Sequence, residues 1–400
     1  MYMFNKLSRM SNTAVMMVVA FFANLYFYNH VGTLYLQTRG LSLLQVSSIW
    51  SIIMAASLLA EIPTGLIADK IGRKWSVVIA LFIQAVGEFL YLFASSYFAF
   101  VLIAVIAGIG YAFSSGASEA LIYDSLPKRN RAKLMKKSVS RIGNSYQTAF
   151  FIAPILGGLI IPQLLLSKFL LAILLTGISV LIAFLFSLKL KEPKIDFARQ
   201  EESPITLLKS GVKLLLTHKR LQWIVAISIF TSSFSNLLLS LYQPYFVQNR
   251  ITSSFWLGIS WSLASLAAFI LLKYAHVIED VIGGRWSLLL VSLLPGLGYI
   301  FLFISTTPLT IATAFVLTYA LTDIKNPFIS VCQNSIIKSN NRATVLSLIS
   351  MVSKLYIAVM GLVFGRIADN SIRLTFLMVG LLIILFSLIL RTDKYVYTDI

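Results

Sequence analysis

Apolar residues in this chain fall into long unbroken runs, without the one-sided stripes of soluble helices or the alternation of half-buried strands. A helix that crosses a bilayer needs about 20 such residues. Runs of that kind occupy 11–37, 44–69, 75–95, 98–125, 138–163, 167–190, 220–247, 253–276, 285–304, 308–335, 342–368 and 372–391. The polar gaps between most of them are short, so consecutive helices are predicted to form antiparallel hairpins. The expected fold class is an all-α membrane protein with twelve transmembrane helices. The first run follows a short basic stretch, MYMFNKLSRMSN, and continues past Tyr28 without a small-residue cleavage site. It is read as a retained span, not a signal peptide.

The gaps carry the orientation. One alternating set holds Lys70, Arg73 and Lys74, then Lys128 to Lys137, then Lys191 to Arg220; the other holds mainly Arg39, Lys168, Arg250 and Arg373. Basic loops stay on the cytoplasmic side. Both termini are therefore expected in the cytoplasm, with the chain in a bacterial-type inner membrane.

The longest gap splits the chain into 1–190, a central loop 191–219, and 220–400. The loop begins with polar KEPKIDFARQEESP and continues with amphipathic ITLLKSGVKLLL. The second part reads as a helix lying in the interface, with a plain linker as the alternative. Asp69-Lys70-Ile71-Gly72-Arg73-Lys74-Trp75-Ser76 recurs 211 positions later as Asp280-Val281-Ile282-Gly283-Gly284-Arg285-Trp286-Ser287. Each copy follows the second run of a six-run half. Two similar six-helix halves are the layout of alternating-access transporters, which hold substrate near the midplane at the repeat interface.

Composition narrows the class. The 400 residues are 58% hydrophobic and 12% charged, with mean hydropathy +0.85; soluble chains carry about 25% charged residues. A formal charge of +18 would suggest nucleic acid in a soluble protein. Here the cations sit between apolar runs, so they are topology signals and contacts to lipid headgroups, and no nucleic-acid partner is expected. The single cysteine, Cys332, excludes disulfides within the chain and cysteine-based metal sites. His30, His218 and His276 lie near run ends and form no metal-like cluster. No nucleotide, zinc-hydrolase or nucleophile-elbow motif is present. No metal, no cofactor and no enzymatic activity are expected.

Residues 65–74 read Gly65-Leu66-Ile67-Ala68-Asp69-Lys70-Ile71-Gly72-Arg73-Lys74. This matches the G-x-x-x-D-x-x-G-R-[RK] motif that follows the second span in the major facilitator superfamily, which the whole chain resembles in span count, two-half layout and central loop. The resemblance implies a cytoplasmic latch. Asp69 would face the start of span eleven near Asn341, and Arg73 would pair with the acid ending span four, Asp124. The alternative for Arg73 and Lys74 is a topology signal alone. Span five ends in Ala153-Pro154-Ile155-Leu156-Gly157-Gly158, similar to the G-P-x-x-G-G of the family's drug–proton antiporters. Ala153, Ser140 and Ala149 replace glycines of that pattern. The span-four Arg of many exporters is absent, its place held by Ala104 before Gly108 and Gly110.

Ionisable residues at membrane depth are costly, so each is a functional candidate. Glu61 lies roughly 12 Å deeper than Asp69 along span two, and Glu119 lies at similar depth on span four. They are the leading proton carriers, with a structural hydrogen bond between spans two and four as the alternative. Asp323 on span ten and Lys354 on span eleven both fall near midplane, as a switchable or a purely structural ion pair. Lys325 would face the cavity. Glu88 lies on span three, which the resemblance makes peripheral. Aromatic clusters in spans one and seven, with Asn24, Tyr26, Tyr242, Gln243 and Gln333, are candidates for the substrate cavity; lipid-facing aromatics are the alternative for most of the rings. The resulting expectation is a monomeric, proton-coupled exporter of small amphiphilic molecules, in contact with substrate, protons and lipids. Proton-coupled uptake of a nutrient or siderophore is the nearest rival. A non-transporting receptor or scaffold is the rival of another class.

Overall fold

The computed structural model describes residues 11–193, 213, 216–232, 234–322, 324–336 and 342–390. Every regular element among them is helical. In chain order the first are α1 (Asn12–Ala23), a 3-10 turn (Asn29–Val31), α2 (Gly32–Thr38), α3 (Leu43–Ile71), α4 (Arg73–Phe93), α5 (Tyr97–Ser114), α6 (Ala117–Ser125), α7 (Arg131–Ile160) and α8 (Leu166–Ser187). Then follow α9 (Lys219–Phe230), α10 (Ser235–Gln248), α11 (Ser254–Lys273), α12 (Ala275–Ile304), α13 (Pro308–Thr322), α14 (Asn326–Ile336), α15 (Arg342–Asn370) and α16 (Ile372–Ile389).

Nine helices among the described residues are long and apolar enough to cross a membrane. The first, fifth and tenth expected runs are not among the nine. The first and tenth break into pieces too short to count, whereas Tyr97–Ser125 and Leu221–Gln248 are counted across their breaks, and the first three turns of α7 hold Arg131, Lys133, Lys136, Lys137 and Arg141. The outward faces suit lipid. Leu59, Phe93 and Leu309 are 79%, 82% and 78% exposed. Each would be unfavourable in water by about 25 cal/mol per Å² of apolar surface.

The chain divides into two compact units. One comprises Met1–Leu41, Ile49–Phe197 and Ser253–Ser262; the other comprises Ser42–Ser48, Ala198–Thr252 and Leu263–Ile400. In the first, α4 packs on α5 and α8, and α1 packs on α7 and α8, around Val15, Val19, Leu81, Leu121 and Ala183. In the second, α12 packs on α13 and α16, and Ile224, Ile227, Leu288, Val291 and Phe328 fill a core beside α9. The amphipathic segment expected in the central loop lies almost wholly outside the described residues.

Four of the expected spans break along their length. Span one opens after Ala23, span four after Ser114, span seven after Phe230 and span ten after Thr322. A break frees backbone groups that lipid cannot satisfy, so something in the protein must. Thr176 Oγ1 accepts the Phe27 N–H at 3.1 Å. The Tyr299 hydroxyl donates to the Phe234 carbonyl at 3.1 Å. The Lys325 ammonium donates to the Thr231 carbonyl at 2.6 Å and to its hydroxyl at 2.7 Å.

The 211-residue repeat has a backbone counterpart. Gly72 (φ +95°) separates α3 from α4, and Gly283 (φ +77°) interrupts α12 at the matching position. Both lie in the left-handed region that L side chains avoid and glycine tolerates.

Candidate functional site

The loop motif builds a polar corner at the start of α4. Gly72 turns the chain, and α4 begins at Arg73 with its first N–H groups unsatisfied, as at any helix start. Glu192, just after α8, caps them: its carboxylate accepts from the backbone N–H of Arg73 and of Lys74, each at 2.8 Å. A negative group is favoured at that positive dipole end. A Cβ on residue 72 would lie 2.7 Å from the Glu192 carboxyl carbon, so the glycine is needed for space as well as for φ.

The Arg73 side chain points to α6. Its Nη1 pairs with Asp124 Oδ2 and donates to the Ala120 carbonyl at 3.0 Å. Both partners are part-exposed, with side chains at 34% and 20%. The structure thus joins Arg73 to Asp124. Lys74 lies over the Trp75 ring, 5.1 Å from its centroid. Gly65 lies within α3 and has open space around it. The Asp69 side chain and Asn341 lie outside the described residues. Glu192 escaped the sequence reading because its partners are 118 and 119 positions away and no local pattern marks it.

The break in span one is the second polar feature. Asn24 ends α1 and bonds its own helix, Nδ2 to the Ala20 carbonyl at 2.8 Å. Two residues on, Tyr26 accepts from Gln84 Nε2 at 2.8 Å. The Tyr28 hydroxyl donates to Glu88 Oε2 at 3.0 Å, and the Tyr26 and Tyr28 rings meet edge to face at 5.9 Å. Tyr28 stacks on Tyr91 with ring centroids 5.7 Å apart. Glu88, which the family resemblance made peripheral, thus bonds directly to the span-one break.

The same break presses on α7. The Phe27 carbonyl and His30 occupy the space where Gly157 would carry a Cβ. Gly158 abuts Phe255 and Ser254, and Gly258 abuts the Pro154 carbonyl. His30 is fully buried and shares a hydrogen bond of 2.9 Å between Nε2 and Ser254 Oγ. Ser262 Oγ closes the seam by donating to the Phe151 carbonyl at 2.7 Å. So Pro154, Gly157 and Gly158 are where the span-one break, α7 and the first turns of α11 meet.

The remaining candidates are dispersed. Glu61 is half-buried on α3, and Glu119 lies in the first turn of α6, exposed. Asp323 lies outside the described residues. Lys354 is half-buried on α15. Lys325 is 5% exposed and engaged with Thr231 as described. Tyr242 is fully buried and stacks on Phe315 at 4.2 Å. Gln243 is buried and donates to the Leu239 carbonyl at 2.8 Å, and Gln333 is buried on α14. In the second unit an apolar groove of about 630 Å³ runs between α9 and α15, lined by residues including Val225, Ile229, Phe230, Leu355 and Tyr356. Among the described residues the Tyr356 hydroxyl has no hydrogen-bond partner. No cluster of metal-ligating side chains occurs among the described residues.

A multi-pass helical protein with broken spans and charged groups at depth has the build of a membrane transporter. Comparison with known proteins is specific. The Major Facilitator Superfamily profile matches residues 10–359, and this chain belongs to that superfamily. Over 349 residues, 85% of each chain, it is 25% identical to the uncharacterised MFS-type transporter YxaM of Bacillus subtilis. Over 128 residues, 32% of each chain, it is 30% identical to the uncharacterised MFS-type transporter MJ1560 of Methanocaldococcus jannaschii. These relatives are named as transporters, not enzymes. Among solved structures, a mutant of the nucleoside transporter NupG has a TM-score of 0.79 at 16% identity, covering 96% of this chain and 99% of its own. A D-xylose–proton symporter has a TM-score of 0.73 at 14% identity, covering 94% of each. At such identities the likeness is one of fold.

Proposed function

We propose that the protein is a secondary active transporter that exports small amphiphilic compounds, drug-like molecules or metabolites, in exchange for protons by alternating access. The seam of α7 supports the direction. Pro154, Gly157 and Gly158 form the part of the exporter-like pattern that this chain keeps, and each engages the span-one break or the first turns of α11. The groove beside Tyr356 supports the substrate class, since a lining that is apolar apart from Tyr356 and Gln222 suits a mostly apolar molecule with few polar groups. The Arg73–Asp124 pair supports a latch that biases the cycle, with Asp69 as its further member. Glu61, Glu119 and Asp323 are its proton-carrier candidates. The chain works as a monomer in a bacterial-type inner membrane with both termini in the cytoplasm.

The test is a panel of fluorescent amphiphiles, ethidium first, loaded into energised cells with and without the transporter. Expulsion that stops on adding a proton uncoupler is the expected result. Accumulation driven by the proton gradient would overturn the direction and establish symport instead, the activity for which the D-xylose–proton symporter of the same fold is named.

A further inference from the structure

We infer that Glu88 is a proton-binding site, and that its occupancy is passed through Tyr26 and Tyr28 to the seam of α7. The inference rests on the proton-coupled reading above and names a carboxyl outside the candidates that reading started from.

Glu88 lies 15 residues along α4 from Arg73 and five from Phe93. At 1.5 Å per residue that is about 8 Å from the far end of the helix. A carboxyl there is expensive without a reason. A cation would be the ordinary reason, but among the described residues Glu88 makes no ion pair. Tyrosines crowd it: Tyr28 donates to its carboxylate, and Tyr91 of its own helix stacks between Tyr28 and Tyr35, while Arg39, just after α2, donates to the Tyr35 hydroxyl at 3.3 Å on the far side of that cluster. The other helices packed on α4 offer no cation at this level. Between Phe169 and Ser187, α8 has no ionisable side chain, and α6 meets α4 at the Arg73–Asp124 end.

Tyrosine is the partner that suits both protonation states. A lysine or arginine only donates and would hold the carboxylate permanently charged. A phenol donates to a carboxylate and accepts from a carboxylic acid. With Glu88 ionised, Tyr28 donates to Oε2, as observed at 3.0 Å. When a proton from water binds at Oε2, releasing hydroxide to the solvent, the new O–H can donate to the Tyr28 oxygen, and the phenol proton then turns to another acceptor. Gln84 holds Tyr26 from the side with its amide, so reversal at the carboxyl is felt by a fixed network.

Both tyrosines sit between α1 and the 3-10 turn, where span one leaves the α-helical ladder and Tyr28 is tied locally only through its carbonyl to the Val31 N–H. Between them is Phe27, whose N–H is held by Thr176 and whose carbonyl lies against Gly157. His30, two residues beyond Tyr28, reaches Ser254. A change in the pull of Glu88 on the tyrosines therefore acts on the segment that packs into the α7 seam.

The experiment uses purified full-length protein in lipid vesicles. Infrared difference spectra between acid and alkaline buffer report the carbonyl band of protonated carboxyl groups. We expect one component of that band to vanish in Glu88→Gln and to shift in frequency in Tyr28→Phe. We also expect Glu88→Gln to keep downhill ethidium movement but lose its stimulation by an imposed pH gradient. Coincident spectra for wild type and Glu88→Gln would overturn the inference, and so would an intact gradient stimulation in that variant. If Glu88→Gln fails to fold, an unshifted band and wild-type stimulation in Tyr28→Phe would overturn it. A wild type with no gradient stimulation would remove the proton-coupled reading itself, whatever the band does.

Discussion

Arg73 gives its guanidinium to two acceptors on α6, the Asp124 carboxylate and the Ala120 carbonyl, while the backbone beside it is held by Glu192. One residue thus ties α4 to α6 through its side chain and to the segment after α8 through its N–H. Asp124→Asn removes the charge but leaves a polar side chain, so we expect normal yield and reduced transport; wild-type transport by this variant would remove Asp124 from the latch. Glu192→Ala deprives a helix of its cap, which costs about 1 kcal/mol. A measurable fall in thermal stability of the detergent-solubilised protein is expected, and an unchanged melting profile would contradict the capping role. The Arg73–Asp124 pairing was legible because a ten-residue motif carries it. Glu192 was not, because only the fold brings position 192 to the start of α4.

At the scale of elements, the breaks in spans one, four, seven and ten matter most. Hydropathy gave the runs but could not give the breaks. Asn24-Leu25-Tyr26-Phe27-Tyr28-Asn29 holds no proline or glycine, and its two asparagines, though turn formers, are too few to lower the hydropathy of the run. The break persists because Thr176 takes the Phe27 N–H, and that partner is 149 positions away. The small residues of α7 were legible as a packing pattern, but what they pack against was not. Gly157→Ala would drive a Cβ into the Phe27 carbonyl, and backbone yields less readily than a side chain. We expect this variant to lose transport while Gly143→Ala, on the same helix with open space around it, does not. Equal transport by both would show that the seam does not matter to function.

At the scale of the whole molecule, lipid suits the outward faces, and the proposed orientation rests on the asymmetry of basic residues between loops. The Gly72–Gly283 pair gives the internal repeat a backbone counterpart. Single cysteines placed at Arg129 and at Arg250 in a Cys332→Ala background should react with an impermeant thiol reagent from opposite sides of the membrane. Labelling of both from the same side would reverse or break the assigned topology. Substrate identity was never legible, because an apolar groove states a class of molecule and not a compound. On the proposed function, movement of a small molecule is tied to movement of protons. This coupling is tested most directly by reconstituting the protein in vesicles loaded with a pH-sensitive dye and adding members of an amphiphile panel. Proton movement opposite in direction to that of at least one compound is expected; transport of a compound with no accompanying proton flux would contradict proton coupling.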